Sequence, residues 1–432
     1  MSRRRSTVLT LGVALALVLP MGAAHAGDQP GSDHLDLPDA VTGEDAEGDL
    51  HAQIAEAARE AGKIRGASNG IQRQNAPANG LDEATQALVD DGAIGVTARV
   101  ESPTTQWGGA AGAREVGKNP PALEQSPFRT ASITKTMVAT LVMQEVEAGT
   151  FTLDTPVNDL VPGLFPEHQD VTVEHLLTHR SGAQTGTMLS IAAKGTGPTW
   201  EDFIAALGLD YSDEEHLAVV NDAEWLFEPG TGFNYSNAGF IALGMILEGV
   251  NDEDLASLLQ ERVFDPARMR HSAFPDESNT RGPLLMDAMY TGTAEQGGIG
   301  WVALDDFDPD VFSAAGGAVT TTRDLNQFTE ALLTGELVDP ALVDEMLVPR
   351  STETMVYGLG IYRVADPCTP EGEPQQWLYG HDGGSMGTVS LALSSTDGSR
   401  QLSLAISGRD MTGAQDSYDL NELLVPMLLA TC

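Results

Sequence analysis

The hydrophobic period of this chain changes near its C-terminal end. Val389, Leu391 and Leu393 alternate with polar residues, Asp397-Gly398 supplies a turn, and Leu402, Leu404 and Ile406 alternate again. A period of two puts successive side chains on opposite faces, so this stretch reads as a β-hairpin with one buried face. Gly95 to Glu101 has the same period, with Val96, Ala98 and Val100 alternating with Thr97 and Arg99. Between the two, residues 131–345 carry helical patterns and loops, and residues 417–430 read as a closing amphipathic helix disturbed by Pro426. The sheet must therefore be assembled from both ends of a domain, with a helical insertion between them.

The N-terminal portion reads differently. Arg3, Arg4 and Arg5 precede an apolar run from Val8 to Leu19 and then Ala24-His25-Ala26. Basic start, short apolar middle and small-x-small site are the order of a secretory signal, so residues 1–26 are expected to be cleaved and the protein to be secreted or held in the cell-envelope space. Residues 27–80 are expected to be an acidic disordered segment and linker with one possible helix over 49–64, and the compact domain to span 81–432. That length suits two closely packed lobes. The formal net charge of -40 argues against nucleic acid and anionic membranes, which would repel the chain. No cysteine stands near residue 26 to take a lipid anchor. The two cysteines, Cys368 and Cys432, form a candidate disulfide in an oxidising compartment, the alternative being two free buried thiols. They lack metal-ligand spacing and the histidines are scattered, so neither a metal site nor a cofactor is expected.

Three segments carry candidate chemistry. Ser132-Ile133-Thr134-Lys135 opens a helical stretch running to Gly149; residues three apart share a helix face, so an amine can reach a serine hydroxyl that is a weak nucleophile until a base takes its proton. Taken alone, Ser132 could equally be a helix cap and Lys135 a solvated side chain. Asn234-Tyr235-Ser236-Asn237 follows the loop Glu228-Pro229-Gly230-Thr231-Gly232 and precedes an apolar helix from Ala238 to Leu247. Its phenol can serve as acid or base and its amide can bind a ligand amide; a buried Tyr and a capping Asn are the plainer reading. Gly380-His381-Asp382-Gly383-Gly384 stands directly before the Val389 strand. Glycines there let a backbone or ligand approach, and Gly384 could offer an N–H to an oxyanion; a β-bulge with a surface His is the alternative.

Together the three segments resemble the serine β-lactamase and D-alanyl-D-alanine peptidase superfamily, with its Ser-x-x-Lys, Tyr-x-Asn and Lys- or His-x-Gly elements in this order. Tyr in the second and His in the third are similar to the class C β-lactamases, secreted carboxypeptidases and related esterases. The likeness extends to Phe128-Arg129-Thr130-Ala131, to Val173 through Gly182, to Ala314-Ala315-Gly316-Gly317 and to Tyr357-Gly358-Leu359-Gly360. It implies an α/β, β-lactamase/transpeptidase-like fold: an antiparallel sheet flanked by helices plus an all-helical lobe. It also implies an acyl-enzyme at Ser132, with Lys135 and Tyr235 moving its proton and His381 assisting the relay or the leaving group. Tyr235 held by Lys135 is the favoured base, since free Lys and Tyr both titrate near about 10 and an adjacent ammonium favours a phenolate. The N–H groups of Ser132 and Gly384 would form the oxyanion hole, and Asn237, Asp382 and Gly383 would contact substrate. The nearest likeness, to secreted D-alanyl-D-alanine carboxypeptidases, implies a monomer acting on small peptides or esters, with β-lactams as inhibitors. One departure stands out: hydroxyl positions of that family are here Asp382 and Gly384, and Tyr362 stands where it has an Arg. The resemblance implies a D-alanyl-D-alanine carboxypeptidase acting on peptidoglycan-type peptides as the leading expectation. An ionised Asp382 facing the substrate would repel a carboxylate and so weakens it, and the alternatives are an esterase or D-amino-acid amidase of the same family, a β-lactamase, or a non-catalytic penicillin-sensor domain.

Overall fold

A computed structural model describes residues 45–67, 78–275, 284–351, 355–412 and 418–432. The signal peptide expected over 1–26 and the acidic stretch to residue 44 lie outside the described residues, as do residues 68–77 of the expected linker.

Two helices, α1 (Asp45–Ala67) and α2 (Ala78–Asp90), precede strands β1 (Gly95–Glu101) and β2 (Gln106–Gly112). The middle of the chain is helical and includes α3 (Ile133–Ala148), α4 (Asn237–Asn251) and α5 (Thr322–Leu333). Strands β3 (Tyr362–Ala365), β4 (Trp377–Gly384), β5 (Thr388–Ser395) and β6 (Gln401–Ser407) and the helix α6 (Asn421–Ala430) close the fold. The six strands form one sheet in the order β2-β1-β6-β5-β4-β3, every neighbouring pair antiparallel. The early strand β1 thus lies beside the last strand β6, with Val96 opposite Ile406, Ala98 opposite Leu404 and Val100 opposite Leu402, as a sheet built from both ends requires.

One expectation about the hairpin is corrected. Every residue of β5 and β6 is buried, so both faces are covered. The apolar face, with Val389, Leu391, Leu393, Leu402, Leu404 and Ile406, joins a core shared with α1, α2 and α6. The opposite face carries Ser390, Ala392, Ser394, Ser403, Ala405 and Ser407. Small side chains let the helical lobe approach, and their hydroxyls are satisfied across the junction: Ser403 donates to the Thr322 carbonyl at 2.8 Å and Ser390 to the Thr130 carbonyl at 2.8 Å. A serine stripe that reads as a solvent face is therefore an interface.

The domain boundary is also corrected. Helix α1 falls within the span read as disordered segment and linker, yet Ile54, Ala57, Ala58 and Ala61 are buried in the core under the sheet. Alanine and isoleucine at helical spacing give α1 an apolar stripe that the sheet and α6 cover. Across the sheet, α3 is buried nearly all round, sharing an apolar cluster with α4 and α5 through Met137, Leu141, Phe240, Ile241, Phe328 and Leu332. It ends at Gly149, whose φ of 74° supplies the left-handed cap. Cys368 and Cys432 form a disulfide with a Cα–Cα distance of 5.2 Å, tying the end of the chain to the loop between β3 and β4. Among the described residues no helix is long and apolar enough to cross a membrane.

Candidate active site

Ser132 is the cap residue of α3 and follows Ala131, which takes a φ of 48°. Left-handed backbone costs an alanine roughly 1 kcal/mol, a strain that sites holding a group in a fixed direction commonly carry. One turn on, Lys135 is fully buried. Its Nζ lies 2.9 Å from Ser132 Oγ, 2.7 Å from Asn237 Oδ1 and 2.9 Å from the Ala315 carbonyl oxygen. The amide oxygen and the carbonyl can only accept, so they fix two of the amine's positions. The third position, toward Ser132 Oγ, is the one where a proton can change owner. Nζ also stands 4.8 Å from the centre of the Tyr235 ring, close enough for a cation–π contact.

Segments distant in sequence hold this cluster. Asn237, at the start of α4, uses its Nδ2 on Thr187 Oγ1 at 2.9 Å, so both ends of its amide have a partner within the protein. Asn237 therefore helps align Lys135, and its second amide N–H stays available for the substrate contact expected from the sequence. Tyr235 is stacked on His179, with ring centres 4.1 Å apart, and His179 Nδ1 accepts from the Ser236 N–H at 3.1 Å. Burial, then Lys135 and His381, hold the His179 imidazole well below its usual range, so it is neutral.

The third segment forms the second half of β4. Gly383 sits where a Cβ would stand 2.2 Å from the Thr130 carbonyl; only glycine lets this strand touch the loop that delivers Ser132. Strand β3 pairs only with Trp377 to Gly380, whereas β5 pairs along β4 as far as Gly384. The far edge of β4 from His381 onward is thus left by β3. Gly383 is thus a position where close packing requires glycine.

The expectation for Asp382 is corrected. Its register partner is Leu391, on the face of the α1–α2–α6 core, whereas His381 pairs with Ala392 on the helical-lobe face. Side chains alternate along a strand, so His381 and Asp382 point to opposite sides. Asp382 is buried beside Tyr362, whose phenol is pushed far up by burial first and by the Asp382 carboxylate second. The repulsion of a substrate carboxylate expected from Asp382 loses its geometric basis.

His381 is buried, with Nε2 2.9 Å from Tyr357 Oη and Nδ1 2.6 Å from the Asp382 carbonyl oxygen. Burial, then Lys135, lowers its pKa to about 3. Its ring centre is 6.2 Å from that of Tyr235. A further link joins the two walls of the site. Arg129 Nε lies 3.0 Å from Asp287 Oδ2, in ion-pair contact, and Arg129 Nη2 donates to the Phe307 carbonyl at 3.0 Å. Ser385, just past Gly384, donates to the other Asp287 oxygen. Among the described residues no group of three or more His, Cys, Asp or Glu could hold a metal ion.

Sequence reasoning on chemistry alone missed Tyr357, Thr187, His179 and the Ala315 carbonyl as parts of the site. Three of them lie in stretches whose only sequence signal is the family likeness; Thr187 has none. Tyr357 is carried onto the site by Gly360, whose φ is 71° and whose Cβ would stand 2.3 Å from that of Ala139, so the Tyr-Gly-Leu-Gly turn packs directly on α3.

A hydroxyl–amine pair at a helix start, a phenol and an amide at a second helix start, and a glycine strand beside them define a β-lactamase/transpeptidase-like fold and site. Residues 54–418 match the family model described as Beta-lactamase, and the chain belongs to that family. It is 28% identical over 337 residues to esterase EstB of Burkholderia gladioli, covering 70% of this chain and 84% of that protein. It is 25% identical over 260 residues to penicillin-binding protein 4* of Bacillus subtilis (strain 168), covering 58% of this chain and 55% of that one. A D-stereospecific amidohydrolase from Streptomyces sp. superposes with a TM-score of 0.67 at 28% identity, over 79% of this chain and 96% of that chain. A D-amino acid amidase from Ochrobactrum anthropi SV3 shares the fold, with a TM-score of 0.66 at 22% identity over 82% of this chain and 97% of that chain. These relatives make it a family of serine hydrolases.

Proposed function

We propose that this protein is an exported, monomeric serine hydrolase that forms an acyl-enzyme at Ser132 and cleaves D-amino-acid amides or short esters. The observation that carries the acyl-enzyme is the contact of Lys135 Nζ with Ser132 Oγ, 2.9 Å, in a cluster where Asn237 Oδ1 and the Ala315 carbonyl can only accept. In this reading Ser132 Oγ attacks the substrate carbonyl and gives its proton to the Lys135–Tyr235 pair. The pair returns a proton to the leaving amine or alcohol, and water repeats the sequence to release the acid. The open edge of β4 receives an extended substrate backbone, with Gly384 N–H and Ser132 N–H on the developing oxyanion. Export is supported by the residues of the 1–26 segment and by the disulfide.

The amide and ester assignment draws support from the esterase and the D-stereospecific amidohydrolase, which match nearly their whole length. It is also supported by the sequence of β4, where Asp382 and Gly384 offer no hydroxyl to a substrate's terminal carboxylate. A D-alanyl-D-alanine carboxypeptidase that binds β-lactams is the second reading, favoured by the match to penicillin-binding protein 4*. A panel of D-amino-acid amides, p-nitrophenyl esters and D-Ala-D-Ala peptides separates them. Turnover of amides or esters far exceeding release of terminal D-alanine is expected; efficient release of D-alanine with negligible amide or ester cleavage assigns the protein to the second reading.

A further inference from the structure

His381 occupies a place where a proton carrier is expected, yet both of its nitrogens are already engaged. Nδ1 is 2.6 Å from the Asp382 carbonyl oxygen. A carbonyl can only accept, so Nδ1 carries the hydrogen. A neutral imidazole then presents Nε2 as a bare acceptor, and the Tyr357 hydroxyl, 2.9 Å away, donates to it. Tyr357 is completely buried, and its ring stands at 86° to the imidazole with centres 5.7 Å apart. Its backbone is held on both sides: its N–H donates to the Ser351 carbonyl at 3.1 Å and its carbonyl accepts from Arg350 at 2.7 Å.

The groups facing His381 come from every element packed on it. Lys135 of α3 faces it, with the Tyr235 ring 6.2 Å away and His179 within electrostatic reach. From the sheet, Tyr362 stands 5.4 Å away, with the Asp382 carboxylate beside its phenol. His51 of α1 lies beyond Tyr362 and acts in the same direction as Lys135. A proton on His381 would set a cation in a buried space next to the Lys135 amine and would remove the acceptor that Tyr357 uses.

We infer that His381 is a positioning residue and carries no proton in the reaction: Tyr357 locks it as the Nδ1–H tautomer, and the locked pair fixes the part of β4 that leads to Gly383 and Gly384. Proton movement is then confined to Ser132, Lys135 and Tyr235. Burial and Lys135, which hold the imidazole pKa down to about 3, act in the same sense. The inference bears on the hydrolase reading only through the kinetics, and its main test uses no substrate.

The experiment is two-bond 15N–1H correlation on full-length protein labelled at histidine, with the His381 signals assigned by their loss in His381→Gln. The expected spectrum shows the neutral Nδ1–H pattern for His381, unchanged between about pH 5 and pH 8. Tyr357→Phe removes the donor to Nε2, whose 15N shift then moves to that of an unbonded acceptor while kcat/KM for a cleaved ester falls about tenfold. Titration of His381 in the unmodified protein, or an Nε2–H pattern, overturns the inference. Should Tyr357→Phe fail to fold, the spectrum of the unmodified protein decides alone, and since no turnover is involved its outcome is separate from that of the substrate panel.

Discussion

Lys135 works only as well as it is aimed, and Asn237 and the Ala315 carbonyl do the aiming. Replacing Asn237 with Ala frees one of those positions and lets Nζ swing from Ser132. The expected result is a loss of kcat/KM of about 10²-fold or more, the scale of a proton transfer that has lost its alignment, with retained cooperative unfolding as the control for a folded protein. An unchanged rate contradicts the role. The contact between Ser132 and Lys135 was legible in the sequence because the two lie one helical turn apart, and the place of Tyr235 because it sits at a recognisable helix start. The direction of Asp382 was not. It depends on register parity, which one residue of slip reverses, and only the pairing with Leu391 reveals it. Tyr357 was hidden for a related reason: its partner is 24 residues away, and a fully buried Tyr in a glycine-rich turn looks like core.

At the scale of elements, apolar alternation located β1, β5 and β6 within a residue or two. It failed for β2, whose sequence Gln-Trp-Gly-Gly-Ala-Ala-Gly has little strand propensity and forms because β1 supplies a full ladder from Gly112 to Gln106. Helix α1 was placed outside the domain because its surroundings are acidic and glycine-rich, whereas its buried stripe is mostly alanine, a weak hydrophobic signal. Ile54 is the largest side chain of that stripe and is fully buried. Ile54→Ala should lower unfolding free energy by about 2–5 kcal/mol, read from the denaturant midpoint. A change confined to a few tenths of that range returns α1 to the status of an appendage.

For the molecule as a whole, buried neutral histidines give stability a pH dependence of definite sign. Burial lowers His51 to about 4 and, with Lys135, His381 to about 3, against about 6.5 in an unfolded chain. Above that value both states are neutral and the two residues contribute no slope. As pH falls below about 6.5 the unfolded chain takes protons that the folded one refuses, so stability declines down to about pH 4 for His51 and further for His381. His51→Phe keeps the edge-on ring contact with Tyr362, whose centre is 4.4 Å away, and removes that proton. Its melting temperature should fall less steeply with acid than that of the unmodified protein, and parallel curves contradict the assignment. The site sets aromatic rings around the Lys135 amine and the Ser132 hydroxyl, and the claim that matters most is that the hydroxyl becomes acylated. Intact-protein mass spectrometry after brief exposure to a fluorophosphonate or to a penicillin tests it most directly. The account predicts a single covalent adduct that maps to Ser132 and is absent from Ser132→Ala; no adduct with either reagent, or one that persists in Ser132→Ala, contradicts it.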